Sequence, residues 1–191
     1  LVSRFFVKSG QGRATRVVSE FIEANCWMDK IAIGIEYNGN SYHGWQRQGS
    51  PSVATVQGEL EQALAQICTQ PVALVCAGRT DAGVHGLGQV AHFESPVSRP
   101  LKAWVQGVNS LLPPSIRVRW AQSVDDAFHA RFSARARRYQ YWIHNYPTKS
   151  GVFAGLLSHC PIPLDSERMH WQAQCLLGEH DFSSFRAAGC Q

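Results

Sequence analysis

From Ile31 to Tyr37 apolar and other residues alternate: Ile31, Ile33, Ile35 and Tyr37 fall on one side, Ala32, Gly34 and Glu36 on the other. This period of two predicts a strand with one apolar face, closed by the Asn38-Gly39 turn. The period then changes. Val56, Leu60, Ala63, Leu64 and Ile67 stripe one face of a helix that Thr55 can cap, and Pro71 ends the connection that follows it. Val72–Cys76 is a short continuous apolar run and Gly88–Phe93 alternates again, so two strands are predicted around a glycine-rich stretch. Leu101, Trp104, Val105, Val108 and Leu112 mark a second helix, and Ile116, Val118 and Trp120 a further strand. Strand, helix, strand, strand, helix, strand is the split βαβ, ferredoxin-like order used by many RNA-binding modules.

An α+β fold follows, with residues 30–125 as a first domain and 126–191 as the start of a second, related one. From Ala134 the pattern predicts a strand through Tyr139, Tyr141 and Ile143 and a break at Pro161-Ile162-Pro163. A helix from about Asp165 follows, striped by Met169, Ala173, Leu176 and Leu177 and ended by Gly178. A lone strand and helix cannot complete a sheet, so their partners are expected from the first domain or from sequence beyond Gln191. Residues 1–29 are expected to be an extension without order. They carry Arg4, Lys8, Arg13 and Arg16 but no apolar core of a secretion signal, and Met28 is the expected start of translation. A basic arm touching RNA is the alternative for this stretch.

Composition adds little to the fold and more to the partner. The chain has 191 residues, 45% hydrophobic and 17% charged, and no uninterrupted apolar run of membrane-spanning length. Lys and Arg number 18 against 14 Asp and Glu, a mild excess. Its distribution matters more: Arg117, Arg119, Arg131, Arg135, Arg137 and Arg138 crowd one span, opposed only by Asp125 and Asp126 and interleaved with Phe132, Tyr139, Tyr141 and Trp142. Arginine among stackable rings favours RNA contact over a plain solvated face, which more often pairs lysine with glutamate. The six cysteines form no C-x-x-C pair, and cysteines and histidines do not recur at zinc-ligand spacing, so thiols in a reducing cytoplasm and no metal are expected. No phosphate-loop or dinucleotide pattern appears, so no cofactor is expected either.

The candidate chemistry lies between the two middle strands, in Ala77-Gly78-Arg79-Thr80-Asp81-Ala82-Gly83-Val84-His85-Gly86. The glycines let the backbone curl around a substrate, and an acid, a forked cation and an imidazole fall within seven positions. An ordinary turn, with Asp81 capping an amide, is the plain alternative, but it requires neither Arg79 nor His85.

This segment, followed by Gly88-Gln89-Val90-Ala91-His92-Phe93, resembles the active-site segment of the tRNA pseudouridine synthase A family. Similar matches are Gly34–Gly39 with Tyr42–Gln48, Phe128–Ala134, Arg137–Tyr141 and Asp181–Arg186. The resemblance implies isomerisation of uridine to pseudouridine in the anticodon stem-loop of tRNA by a cytoplasmic homodimer. In that reaction the bond from ribose C1′ to N1 breaks, the base turns while held, and C1′ joins C5; positive charge at the sugar suits a nearby carboxylate. It implies Asp81 as nucleophile or electrostatic partner, Arg79 in base flipping and Tyr139 against the uracil ring. It further implies tRNA contacts at Arg99, Phe128, His129, Ala130, Arg131, Phe132, Gly189, Cys190 and Gln191. Gly189 departs from the polar residue of the family pattern, and the family's later basic partner of the aspartate falls beyond Gln191. Trp45 is expected to pack rather than to stack on RNA. Two other classes stay open: an RNA-binding module without catalysis, and a nucleoside or glycoside hydrolase using Asp81, for which Asp125 or Asp126 would have to serve as acid.

Overall fold

The computed structural model describes residues 2–6, 29–49 and 53–185. Gly189, Cys190, Gln191 and the expected start at Met28 lie outside the described residues. The chain forms two compact units, one ending at Trp142 and one beginning at Ile143, whereas the sequence pattern placed the division after residue 125.

The first unit is a mixed α+β body around a mainly antiparallel sheet of β1 (Val2–Phe6), β2 (Asp29–Tyr37), β3 (Val75–Cys76), β4 (His85–Ser95), β5 (Ile116–Ser123) and β6 (Ala136–Gln140). β4 is central, and β2 lies between it and the edge strand β5, antiparallel to both, with Ile33 opposite Ala91 of β4 and Ala121 of β5. β3 pairs with the other side of β4. The isoleucine face of β2 is buried as its alternation predicts. The second face is covered too, because the Trp120 ring of β5 lies where a Cβ on Gly34 would stand, 2.0 Å from the ring nitrogen. β1 comes from the stretch expected to lack order. It runs parallel to β4 and antiparallel to β6, so that Ser3 is opposite both Gly86 and Tyr139.

α1 (Val56–Cys68) buries Val56, Leu60, Ala63, Leu64 and Cys68, with Ile67 at the edge of the core. Thr55 caps it, its Oγ1 accepting from the Gly58 amide at 3.2 Å. It ends at Thr69 in the left-handed region, before Pro71 is reached. The second predicted helix is a π-helical turn, Ala103–Gly107, running into α2 (Val108–Leu111). The wider turn keeps Trp104 and Val108 on the buried side, with Trp104 edge-on to Phe93 at 5.2 Å. Burying side chains such as Leu60, Leu64 and Phe93 contributes about 1.5–3 kcal/mol each, which fixes the helices over the sheet.

The sequence pattern misplaces three boundaries. β3 is two residues rather than five, and β4 starts at His85, so the loop carrying Asp81 is tighter than the glycine spacing suggests. The strand expected through Tyr139, Tyr141 and Ile143 is two strands. β6 ends at Gln140, and β7 (Ile143–Asn145) pairs in parallel with β8 (Ser158–Cys160) inside the second unit. That unit also holds α3 (Ser166–Ala173), capped by Asp165, whose Oδ1 accepts from the Arg168 amide at 2.9 Å. A 3₁₀ turn, Gln174–Leu176, follows. α3 buries no residue, and Met169, Trp171 and Leu176 are exposed. No helix among the described residues is long and apolar enough to cross a membrane.

Candidate active site

The loop between β3 and β4 is held from below by the chain that leaves β2. Asn38-Gly39 turns beneath it, and the Gly39 amide donates to Nδ1 of His85 at 3.1 Å. The Trp45 amide donates to the Thr80 carbonyl at 2.9 Å, and the Gly83 amide to the Tyr42 carbonyl at 3.3 Å. Two glycines permit the approach: a Cβ on Gly39 would stand 2.2 Å from the Val84 carbonyl oxygen, and one on Gly44, where φ is +94°, 2.8 Å from that of Thr80. Tyr37, buried at the end of β2, meets the Thr80 hydroxyl at 2.8 Å. Trp45 is buried beside Tyr37 and packs as expected. The backbone on either side of Asp81 is therefore fixed while Asp81 and Arg79 are exposed. Asp81 is held out to solvent by a turn that its carbonyl closes, accepting from the Val84 amide at 3.2 Å.

The root of the loop is fixed from the sheet side. The Ala77 amide donates to the Val90 carbonyl at 2.7 Å, and Nε2 of Gln89, fully buried, to the Gly78 carbonyl at 2.6 Å. Ala77 and Val90 pack with Ala130, and Phe128 and Ala134 close the cluster. The residues with expected tRNA contacts thus divide. Ala130 and Phe128 pack inward and position their loop, whereas Arg131 and Phe132 are exposed. The Phe132 ring stacks on His129 at 4.3 Å, with the Arg131 guanidinium 5.7 Å from its centre. His129 also orders its own turn, Nδ1 accepting from the Phe132 amide at 3.4 Å.

Positive charge converges on this root. Burial pushes the Cys76 thiol up to about 11, against the opposing pull of Arg79 and Arg131, so both guanidinium groups lie within electrostatic reach of the end of β3. Tyr139, in β6, is half exposed, two strands from Gly86 by register. Arg99 does not join this group. It lies beyond Ser95 with its charge acting on buried Cys68, roughly 30 Å along β4 from the loop. Sequence reasoning missed the supports: the spacing of Tyr37, Gly39, Gly44 and Gln89 along the chain gives no sign that they converge, and Arg137 reads in the sequence only as one of a run of arginines suited to RNA. Among the described residues no group of three His, Cys, Asp or Glu could hold a metal.

His92 sits behind the 128–132 loop. Its Nδ1 accepts from the Ala130 amide at 3.2 Å, and the Phe128 and His129 rings stand edge-on to it at 5.8 and 4.9 Å. Burial first, then the charges of His129 and Lys30, pull its pKa down to about 4 against a hydrogen bond to Val75. An ordinary histidine in the unfolded chain takes up a proton near pH 6.5, while the folded one does so only near 4, so stability falls as the pH drops between these values. Thermal melts should show a loss of about 1–3 kcal/mol across that window, and His92→Asn should flatten it.

Residues 33–133 match the family model described as tRNA pseudouridine synthase. The chain belongs to that family. It is 57% identical over 162 residues, 85% of its length, to tRNA pseudouridine synthase A of Haemophilus influenzae (strain ATCC 51907), and equally so to the enzymes of that name from Photorhabdus laumondii and Escherichia coli (strain SMS-3-5). It spans 60%, 61% and 59% of those relatives. The span matched to the tRNA pseudouridine synthase model contains the Asp81 loop, its glycine supports and the 128–132 loop, and stops short of Tyr139.

Proposed function

We propose that this chain carries the catalytic aspartate of a tRNA pseudouridine synthase and isomerises uridine in the anticodon stem-loop. The observation that carries the reading is Asp81 itself: an exposed carboxyl on a loop clamped from both sides, with Arg79 two residues away, within a family-matched span. The target nucleotide leaves its stack, Arg79 makes paired hydrogen bonds in the gap, and the base enters against the Tyr139 ring. Asp81 attacks or stabilises C1′ as the bond to N1 breaks; the uracil turns, C5 bonds to C1′, the C5 proton leaves and N1 ends protonated. Tyr139 is suited to that late proton transfer. The rearrangement is redox neutral and needs no cofactor.

Arg131, Phe132 and His129 offer a guanidinium and stacked rings to RNA near the loop. Arg99, past the far end of β4, would serve a second region of the same tRNA, as in a cytoplasmic homodimer that clamps one tRNA across both subunits. The strand order β5, β2, β4, β3 with helices between supports a ferredoxin-like reading of the first domain. The test is to treat anticodon stem-loop RNA with the protein, label with carbodiimide and map stops of reverse transcription. Stops at stem-loop uridines support the reading; an unmodified, tightly bound RNA would leave a binding module instead.

A further inference from the structure

Arg137 is an exposed arginine in a run of arginines, a pattern that ordinarily means solvent or phosphate, yet its guanidinium is used inside the protein. Nε and Nη2 both donate to the Ala77 carbonyl, at 3.2 and 2.8 Å, and Nη2 also reaches the Arg131 carbonyl at 3.3 Å. Ala77 is the residue from which the Asp81 loop springs. Arg131 stands at the tip of the loop that presents Phe132. Arg137 itself belongs to β6, two residues before Tyr139. One planar fork therefore joins three separate segments of the proposed site.

We infer that Arg137 is a positioning residue that sets the Asp81 loop, the 128–132 loop and the Tyr139 strand in mutual register. This rests on the proposed function for its catalytic meaning, though not for its geometry. The chemistry favours arginine here. Lysine offers three donors from one compact ammonium on a flexible stem and sets no fixed direction between the carbonyls it meets, while the planar guanidinium presents its N–H groups in a rigid fork without titrating. The packing under Ala77 leaves its carbonyl side to Arg137, since Ala130 and Val90 fill the apolar side. Loss of the fork would let the two loops move independently, and a displacement near 1 Å at a reacting group is enough to cost about 100-fold in rate.

The experiment compares the wild-type chain with Arg137→Lys and Arg137→Met by hydrogen exchange and by turnover. Amides of residues 78–84 and 128–133 should exchange about tenfold faster in both variants, while those of β2 and β5 keep their protection. With stem-loop RNA, kcat should fall about 10–100-fold with KM and the salt dependence of binding little changed. Unchanged exchange in both loops would overturn the inference, whatever the kinetics. A rise in KM with a flatter salt slope and intact kcat would also overturn it, by making Arg137 a phosphate contact. If wild type shows no turnover, the proposed function fails, and the exchange data still decide for or against the fork. Should Arg137→Met not fold, Arg137→Lys carries the same two readouts.

Discussion

Asp81→Asn should lower turnover by at least about 10³-fold, a barrier increase of about 4 kcal/mol, while affinity for tRNA changes by less than about threefold. The expectation follows from where the residue stands. Its side chain is exposed at the crest of the loop, and the contacts that hold that loop run through the backbone of Thr80, Asp81, Gly83 and Val84. Replacing one oxygen by an amide nitrogen keeps shape and leaves those contacts alone. What disappears, on the proposed mechanism, is the negative oxygen that would face the developing charge at C1′ and bond to it. Loss of affinity in step with turnover would instead make Asp81 a binding group. Retained turnover would place the chemistry on another residue. Single-turnover kinetics and a filter-binding titration on the same preparations separate these outcomes.

Gly39→Ala should be nearly as damaging without touching any group of the reaction. The added methyl would meet the Val84 carbonyl oxygen at 2.2 Å and its carbon at 2.7 Å, and these are backbone atoms that cannot rotate away. Relief requires moving the loop off β2, which breaks the Gly39 amide's bond to His85 and pulls against Tyr42 and Trp45. Overpacking of this kind costs about 1–3 kcal/mol of stability, and the displaced aspartate should lose about 100-fold in turnover. Gly49→Ala is the matched control, since nothing lies within 4 Å of a Cβ there. Equal melting temperatures and rates for the two variants would show that the loop is not cradled as described.

The legibility of this chain in its sequence follows a physical divide. Elements whose burial is periodic announce themselves: the isoleucines of β2 and the α1 stripe gave the strand and helix almost to the residue. β3 did not, because only two of the five apolar residues pair with β4, while Leu74 and Val72 are apolar for packing against the core rather than for strand pairing. The end of β6 was hidden for a related reason. Tyr139, Tyr141 and Ile143 share the parity of one strand, yet a sequence pattern cannot tell which sheet each half joins. Likewise β1 pairs with β4 and β6 over a stretch whose residues suggested only a basic extension. In the proposed site, the chemically distinctive residues, Asp81, Arg79 and Arg131, stand out in the sequence by their type. Those that act through backbone carbonyls or through a missing side chain, Gly39, Gly44, Gln89 and Arg137, became visible only when the loops were seen in space.

The central claim is that Asp81 drives an isomerisation in which the base is never released, and the hydrogen on C5 of the target uracil reports on it most directly. With tRNA labelled by tritium at that position, the account predicts release of tritium to water in step with pseudouridine formed, no free uracil, and no release by Asp81→Asn. Tritium release undiminished by Asp81→Asn, or free labelled uracil in place of labelled water, would contradict it.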